Sequence, residues 1–175
     1  MILTVEKKKM THEEFMQLPD VCVEFIDGYV VKEPTPLYGH QEVSVNLVVQ
    51  IFTRLQSNNK GKIVTTPLDV FLDDDIVQPD LLFMSAERIG QLLGEDGKVH
   101  GAPDVVFEII SPSTAIKDTN KKFKIYEQHG VKEYFIVYPD DKMVIKYVLE
   151  NGMYHEQYRE IGFVQSEPMG CEFHF

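Results

Sequence analysis

The stretch Pro103-Asp-Val-Val-Phe-Glu-Ile-Ile110 constrains this chain most. It is apolar and β-branched enough to be a buried strand, and a strand alternates its faces. Val105, Phe107 and Ile109 then point one way, and Asp104, Val106, Glu108 and Ile110 the other. Glu108 falls in mid-strand among residues that favour burial. An unpaired carboxylate there costs several kcal/mol, so the fold must bring it a cation, a basic partner or a proton. Val77-Gln-Pro-Asp80-Leu-Leu-Phe repeats the pattern, with Asp80 just inside an apolar run. Taken alone, either carboxylate is explained equally well as a structural ion pair or a turn cap. Asp104 and Glu108 share a face but stand about 13 Å apart at strand rise, too far to chelate one ion. Asp104 is therefore expected to be a turn or strand-entry residue. Neighbouring strands lie only about 4.8 Å apart, so pairing of the Asp80 and Glu108 strands would let both hold one divalent cation. Oxygen ligands of this kind suit Mg²⁺ or Mn²⁺ rather than zinc.

Around these strands the apolar period switches repeatedly. Thr11 and Glu14 form a capping box for a short helix that Pro19 stops. VCVEFI and YVVKE flank Asp27-Gly28, a pair that suits a type I′ hairpin. Over residues 40–57, Val45, Val48, Phe52 and Leu55 recur at helical spacing, with Leu47 and Ile51 beside them. Strand-rich stretches follow at 62–72, 77–84 and 105–110, with a short helix expected over 86–93. Residues 114–130 read as a helix ending at Gly130, followed by an apolar strand over 134–138. MVIKYVL and MYHEQYR then flank Glu150-Asn151-Gly152, a second hairpin signal. No repeat or linker divides the chain, so residues 1–175 are expected to form one domain. Its class is α/β or α+β, with one long helix before the central strands and another after them.

Composition narrows the function classes. With 43% hydrophobic and 26% charged residues, the chain is neither disordered nor fibrous. A formal charge of -11 disfavours a broad basic surface coating nucleic acid, while leaving room for a local basic groove or a metal-loaded acidic site. No run approaches the roughly 20 apolar residues of a membrane span, and no secretory signal is evident. Cys22 and Cys171 lie far apart, which fits a reducing cytoplasm. The Gly-x-Ser-x-Gly elbow and the phosphate-cradling glycine motifs are missing, and the histidines at 12, 40, 100, 129, 155 and 174 show no ligand spacing. His40, opening the first long helix, is expected to have a capping or surface role, with contact to a phosphate as the alternative.

Glu24-Phe-Ile-Asp-Gly, Gln78-Pro-Asp80 and Pro103-Asp-Val-Val-Phe-Glu108-Ile-Ile-Ser-Pro-Ser-Thr114, followed by Asp118, Lys122 and Tyr126, resemble the bacterial Uma-two family. The resemblance runs from the Glu24 hairpin to Pro139, and its most specific part is Glu-x-x-Ser-Pro-Ser-Thr with Asp118 and Lys122 at their distances. It implies a restriction-endonuclease-like fold of the PD-(D/E)XK superfamily, with a core of a helix, three strands, a helix and a strand. The residue pattern yields the same order, with N- and C-terminal hairpins added to a mixed central sheet. The superfamily usually places a lysine two residues after the acidic residue, and here that position is Ile110. The family pattern implies that Lys122 replaces it from the next helix, where Asp118, Lys122 and Tyr126 share a face at i, i+4, i+8. Without that pattern, Lys122 would read as a solvated charge paired with Asp118.

The resemblance implies a Mg²⁺-dependent endonuclease hydrolysing DNA phosphodiester bonds, Mn²⁺ being a possible substitute. Asp80, Glu108 and the main-chain carbonyl of Ile109 are the implied metal ligands. Lys122 and Glu24 join Asp80 and Glu108 as catalytic candidates, and Gln78 is expected to line the site. A homodimer is expected, because many nucleases of the superfamily pair to cut two strands. The alternatives are a non-catalytic relative that binds DNA or a protein partner, and an interaction protein whose carboxylates only make ion pairs.

Overall fold

A computed structural model describes residues 7–19, 22–32, 35–110 and 117–175. β1 (Lys7–Lys9) leads into α1 (His12–Met16), where Thr11 Oγ1 accepts from the Glu14 N–H at 3.1 Å. Glu14 Oε2 in turn accepts from the Thr11 N–H at 2.7 Å, completing the capping box. β2 (Glu24–Ile26) and β3 (Tyr29–Val31) form the first hairpin. Asp27 at φ 53° and Gly28 at φ 78° supply its left-handed turn. The long helix α2 (Tyr38–Asn58) follows, then β4 (Gly61–Thr65), β5 (Val70–Leu72), β6 (Asp75–Val77) and β7 (Leu81–Ser85). α3 (Ala86–Leu92), β8 (Val99–His100), β9 (Val105–Ile109), α4 (Lys117–His129) and β10 (Glu133–Val137) continue the chain. β11 (Met143–Glu150) and β12 (Met153–Ile161) form the second expected hairpin, and β13 (Phe163–Ser166) and β14 (Cys171–His174) a third.

The central sheet runs β12-β11-β10-β9-β7-β4. Its β9 and β10 are parallel, joined through α4, and its other pairs are antiparallel. Helix α2, strands β4, β7 and β9, helix α4 and strand β10 thus give the restriction-endonuclease-like order in a mixed α+β fold. β9 alternates as its sequence requires: Val105, Phe107 and Ile109 join the core under α2, and Val106 and Ile110 the core under α4. Glu108 therefore faces α4.

The second sheet, β1-β3-β2-β6-β5-β8, departs from the simple reading of three long strands. Residues 62–72 split into β4 in the central sheet and β5 in the second, with Pro67 between them. Residues 77–84 likewise split into the end of β6 and β7, broken at Pro79. Proline donates no ladder hydrogen bond, so each break falls where the chain changes sheet. Asp80 thereby stands at a crossing between sheets rather than inside a strand.

The face α2 presents also differs from the expected one. Its buried line is Val43, Leu47, Ile51 and Leu55, a four-residue ridge laid on the sheet. Val45, Val49 and Phe52 remain 60%, 56% and 50% exposed. Apolar residues spread over too much of this helix for periodicity alone to select the face.

α4 ends in a Schellman cap: the Val131 N–H bonds the Tyr126 carbonyl at 3.0 Å and the Gly130 N–H bonds the Glu127 carbonyl at 3.3 Å. Gly130, at φ 83°, takes the left-handed position this cap needs. Just beyond, the Lys132 and Glu133 amides donate to the Asp104 carbonyl at 3.0 and 3.2 Å. The fully buried Asp104 side chain accepts from the Ser85 N–H at 2.8 Å and meets Lys132 Nζ at 2.7 Å and Arg88 at 3.3 Å. It is a strand-entry clamp joining the end of β7 to the starts of β9 and β10.

Burial pushes the Asp104 carboxyl up, but Lys132 and the Ser85 N–H outweigh it and hold the group below its ordinary 3.8. A folded value below the unfolded one gives stability that is present above 3.8 and lost as pH falls through the folded value. Asp104→Asn is expected to cost about 2 kcal/mol at neutral pH in urea unfolding. The gap to wild type should close as pH drops below 3.8. A gap independent of pH would mean the Asp104 charge does not contribute.

Candidate active site

Three separate parts of the chain deliver charge to one point. β9 supplies Glu108 from the central sheet, β2 supplies Glu24 from the second sheet, and α4 supplies Lys122. All are buried, at 8%, 2% and 3% exposure respectively. Lys122 Nζ lies 2.8 Å from Glu24 Oε1 and 3.3 Å from Glu108 Oε1. Glu108 Oε1 also accepts the Tyr126 hydroxyl at 2.7 Å. Burial, with the neighbouring Glu108 charge, holds the Tyr126 phenol well above its ordinary range. Tyr126 is therefore a fixed neutral donor, one helical turn below Lys122 on the same face.

The sheet crossing brings in the remaining carboxylate. β7 and β9 pair with Leu81 opposite Phe107, which sets Asp80 against the end of β9. Asp80 Oδ2 accepts the Ile109 N–H at 2.7 Å, and Oδ1 lies 3.1 Å from His40 Nε2. The Gln78 N–H reaches back to Glu24 Oε1 at 2.7 Å, tying the β6–β7 crossing to β2.

Of the four side chains singled out as catalytic candidates, Glu24, Glu108 and Lys122 meet in one cluster, and Asp80 is held alongside it through the Ile109 amide next to Glu108. Gln78 contributes its main chain, whereas its side chain donates to Asp69 at 2.7 Å. Ile110, at the usual lysine position, is core. Residues 111–114 and the Asp118 side chain lie outside the described residues. His40 is the residue sequence reasoning misplaced: it is buried against Asp80 instead of capping a helix. A single histidine in a first helical turn carries no signal of a partner forty residues away. Tyr126 was legible only as sharing a face with Lys122, not as a ligand of Glu108.

Every carboxylate donor here is a hard oxygen, the kind that divalent alkaline-earth cations take. At their ordinary charges, Glu24, Asp80 and Glu108 exceed the single ammonium of Lys122, leaving net negative charge for a cation to balance. Among the described residues no group of three or more His, Cys, Asp or Glu side chains forms a ready metal cage. A small cation that retains most of its waters needs only one or two carboxylates, so the residues fit that kind of ion.

In fold, the chain is similar to a crystal structure described as "a putative nuclease belonging to DUF820" from Anabaena variabilis ATCC 29413. The two are 22% identical, with a TM-score of 0.76 over 95% of this chain and 94% of the other. The curated proteins contain no match to this chain. The sequence pattern described as "Uma2: Putative restriction endonuclease" matches residues 12–169, nearly the whole length, and the chain belongs to that family.

Proposed function

We propose that the protein is a Mg²⁺-dependent endonuclease that hydrolyses DNA phosphodiester bonds, with Mn²⁺ able to substitute. The observation that supports this best is the convergence of Glu24, Glu108 and Lys122 from two sheets and a helix, with Asp80 held alongside through the Ile109 amide, in a member of this family. Asp80 and Glu108, with the Ile109 carbonyl, are the proposed ligands of the ion. When bound, such an ion polarises the scissile phosphate and makes a bound water more acidic.

The chain's own residues do the rest. Lys122 carries the positive charge that meets negative charge growing on the phosphoryl oxygens, or orients the attacking water. Glu24 holds the Lys122 ammonium in place together with Glu108. Tyr126 fixes one Glu108 oxygen through a donor that stays protonated, and His40 fixes one Asp80 oxygen. DNA is the partner, bound weakly or transiently in keeping with the -11 charge, and the working compartment is the cytoplasm. Among the described residues no helix is long and apolar enough to cross a membrane.

A homodimer belongs to this reading. On α2 the outward residues Val45, Asn46, Val49, Phe52 and Thr53 carry no charge, so two strongly acidic copies can meet there with Glu42 as the acidic group at the N-terminal end of that face. Light scattering should give twice the chain mass of 20.2 kDa; a monomer at working concentration would remove the dimer. A second reading, a non-catalytic member that only binds DNA or protein, is favoured by Ile110 standing at the usual lysine position.

Cleavage of supercoiled plasmid with Mg²⁺ or Mn²⁺ separates the two readings. Nicking is expected, and Asp80→Ala and Glu108→Ala should each abolish it. Mg²⁺ should raise the melting temperature of the wild type but not of these variants, since a ligand stabilises the state that binds it. No thermal shift and no nicking would defeat the metal-dependent enzyme; a shift without nicking would select the non-catalytic reading.

Lys122→Ala should lower the cleavage rate by about 10²–10³, the usual cost of removing one donor to developing charge. It should also destabilise the fold by about 3 kcal/mol, because Glu24 and Glu108 lose their shared cation. Unchanged cleavage in Lys122→Ala would exclude this lysine from the chemistry.

A further inference from the structure

The strand that closes the second sheet, β1, is made of lysine alone. In its ladder Lys9 stands opposite Tyr29, and Tyr29 opposite Ile26. Residues opposite one another share a face, and so do residues two apart along a strand. Lys9, Tyr29, Ile26 and Glu24 therefore belong to one face, while Lys8, opposite Val30, belongs to the other. Lys8, Lys9 and Tyr29 are all exposed.

At the tip of the same hairpin, Lys121 pairs with Asp27 and keeps 44% of its side chain accessible. Lys121 directly precedes Lys122, so α4 turns Lys122 into the cluster and Lys121 out to the Asp27–Gly28 turn. Basic charge is scarce in this chain, 17 Lys and Arg against 28 Asp and Glu, yet this group borders the Glu24 face.

The geometry points to a phosphate rail in which Lys9, beside Tyr29, and Lys121, at the Asp27 turn, grip the DNA backbone next to the scissile bond, with Lys8 adding positive charge from the other face of β1. The inference rests on the nuclease reading and specifies the track DNA takes to that site. Two strand spacings and two residues of rise put the backbone of Lys9 about 12 Å from that of Glu24. Phosphates of one strand advance about 3.4 Å each along the duplex axis while also winding round it, so the rail meets the backbone only a few phosphates from the scissile one. Tyr29 offers a ring against which a sugar or an unpaired base packs. Contacts of this kind position DNA without reading its sequence.

The test is fluorescence anisotropy of a labelled DNA duplex over a salt series without divalent cations. It compares wild type with Lys8→Gln/Lys9→Gln/Lys121→Gln, and uses Arg159→Gln on the outer strand β12 as a charge control. The triple variant should bind about tenfold or more weakly, with the slope of log affinity against log salt reduced by about 0.9 for each lost contact. Arg159→Gln should bind as wild type does. Lys8→Gln/Lys9→Gln, which spares the Lys121–Asp27 pair, should show the smaller change of the same kind even if the triple variant folds poorly. Unchanged affinity and slope in both lysine variants would overturn the rail. If those variants also gained mass by light scattering, the lysines would instead be shielding an open strand edge. A wild type that binds no DNA would overturn the rail, and the nuclease reading would then be judged separately by nicking with Mg²⁺ or Mn²⁺. Wild-type nicking alongside unchanged binding of the variants would remove the rail alone.

Discussion

One ammonium group holds together parts of the chain that local sequence would never bring to a point. Lys122 lies between Glu24 of the second sheet and Glu108 of the central sheet, with each partner buried. Burying three ionised groups is expensive, and the arrangement persists only because every one of them is paired and hydrogen-bonded. Remove the ammonium and two carboxylates face each other in a dry cleft. The junction of the two sheets and the charge of the proposed site thus depend on the same contact.

That contact depends on where α4 starts and stops along its axis. The Schellman cap fixes the carbonyl of Tyr126, and Tyr126 and Lys122 follow at one-turn spacing on the inward face. Immediately after the cap, the Lys132 and Glu133 amides bond the Asp104 carbonyl. Asp104 also begins the approach to β9, four residues before Glu108. The helix carrying the cation and the strand carrying the anion are therefore both measured from Asp104. A shift of α4 by one residue would rotate Lys122 by about 100° away from Glu108.

Much of this was legible because it is local. The alternation of β9 places Glu108 on the α4 face, Asp27-Gly28 and Asn151-Gly152 mark their turns, and Gly130 marks the helix end. The misreadings share a cause in long-range contact. β5, β6 and β8 are two- or three-residue strands whose pairing is decided by distant partners, so that part of the second sheet, unlike its β2–β3 hairpin, left no periodic trace. α2 is apolar on more than one face, and only the sheet beneath it decides that Leu47 and Ile51 go inward while Val45 and Phe52 stay out. His40 is buried because Asp80 arrives at a sheet crossing, an event that a lone histidine in a helix cannot announce.

The displaced lysine shows how such a site tolerates change. Ile110 occupies the face beside Glu108 and is spent on the core, with its amide bonded to the Val137 carbonyl at 2.8 Å. An ammonium is still needed on that side of the strand, and a long side chain from a helix packed over the sheet can provide it. Lys122 reaches 3.3 Å from Glu108 by this route, and the helix lets a second residue, Tyr126, reach the same carboxylate one turn away. A lysine two positions along the strand would stand about 6.6 Å from Glu108 at its backbone and would bring no such partner. Moving the cation to a helix thus couples it to a neutral donor and to Glu24, and makes its position a property of helix docking instead of strand register.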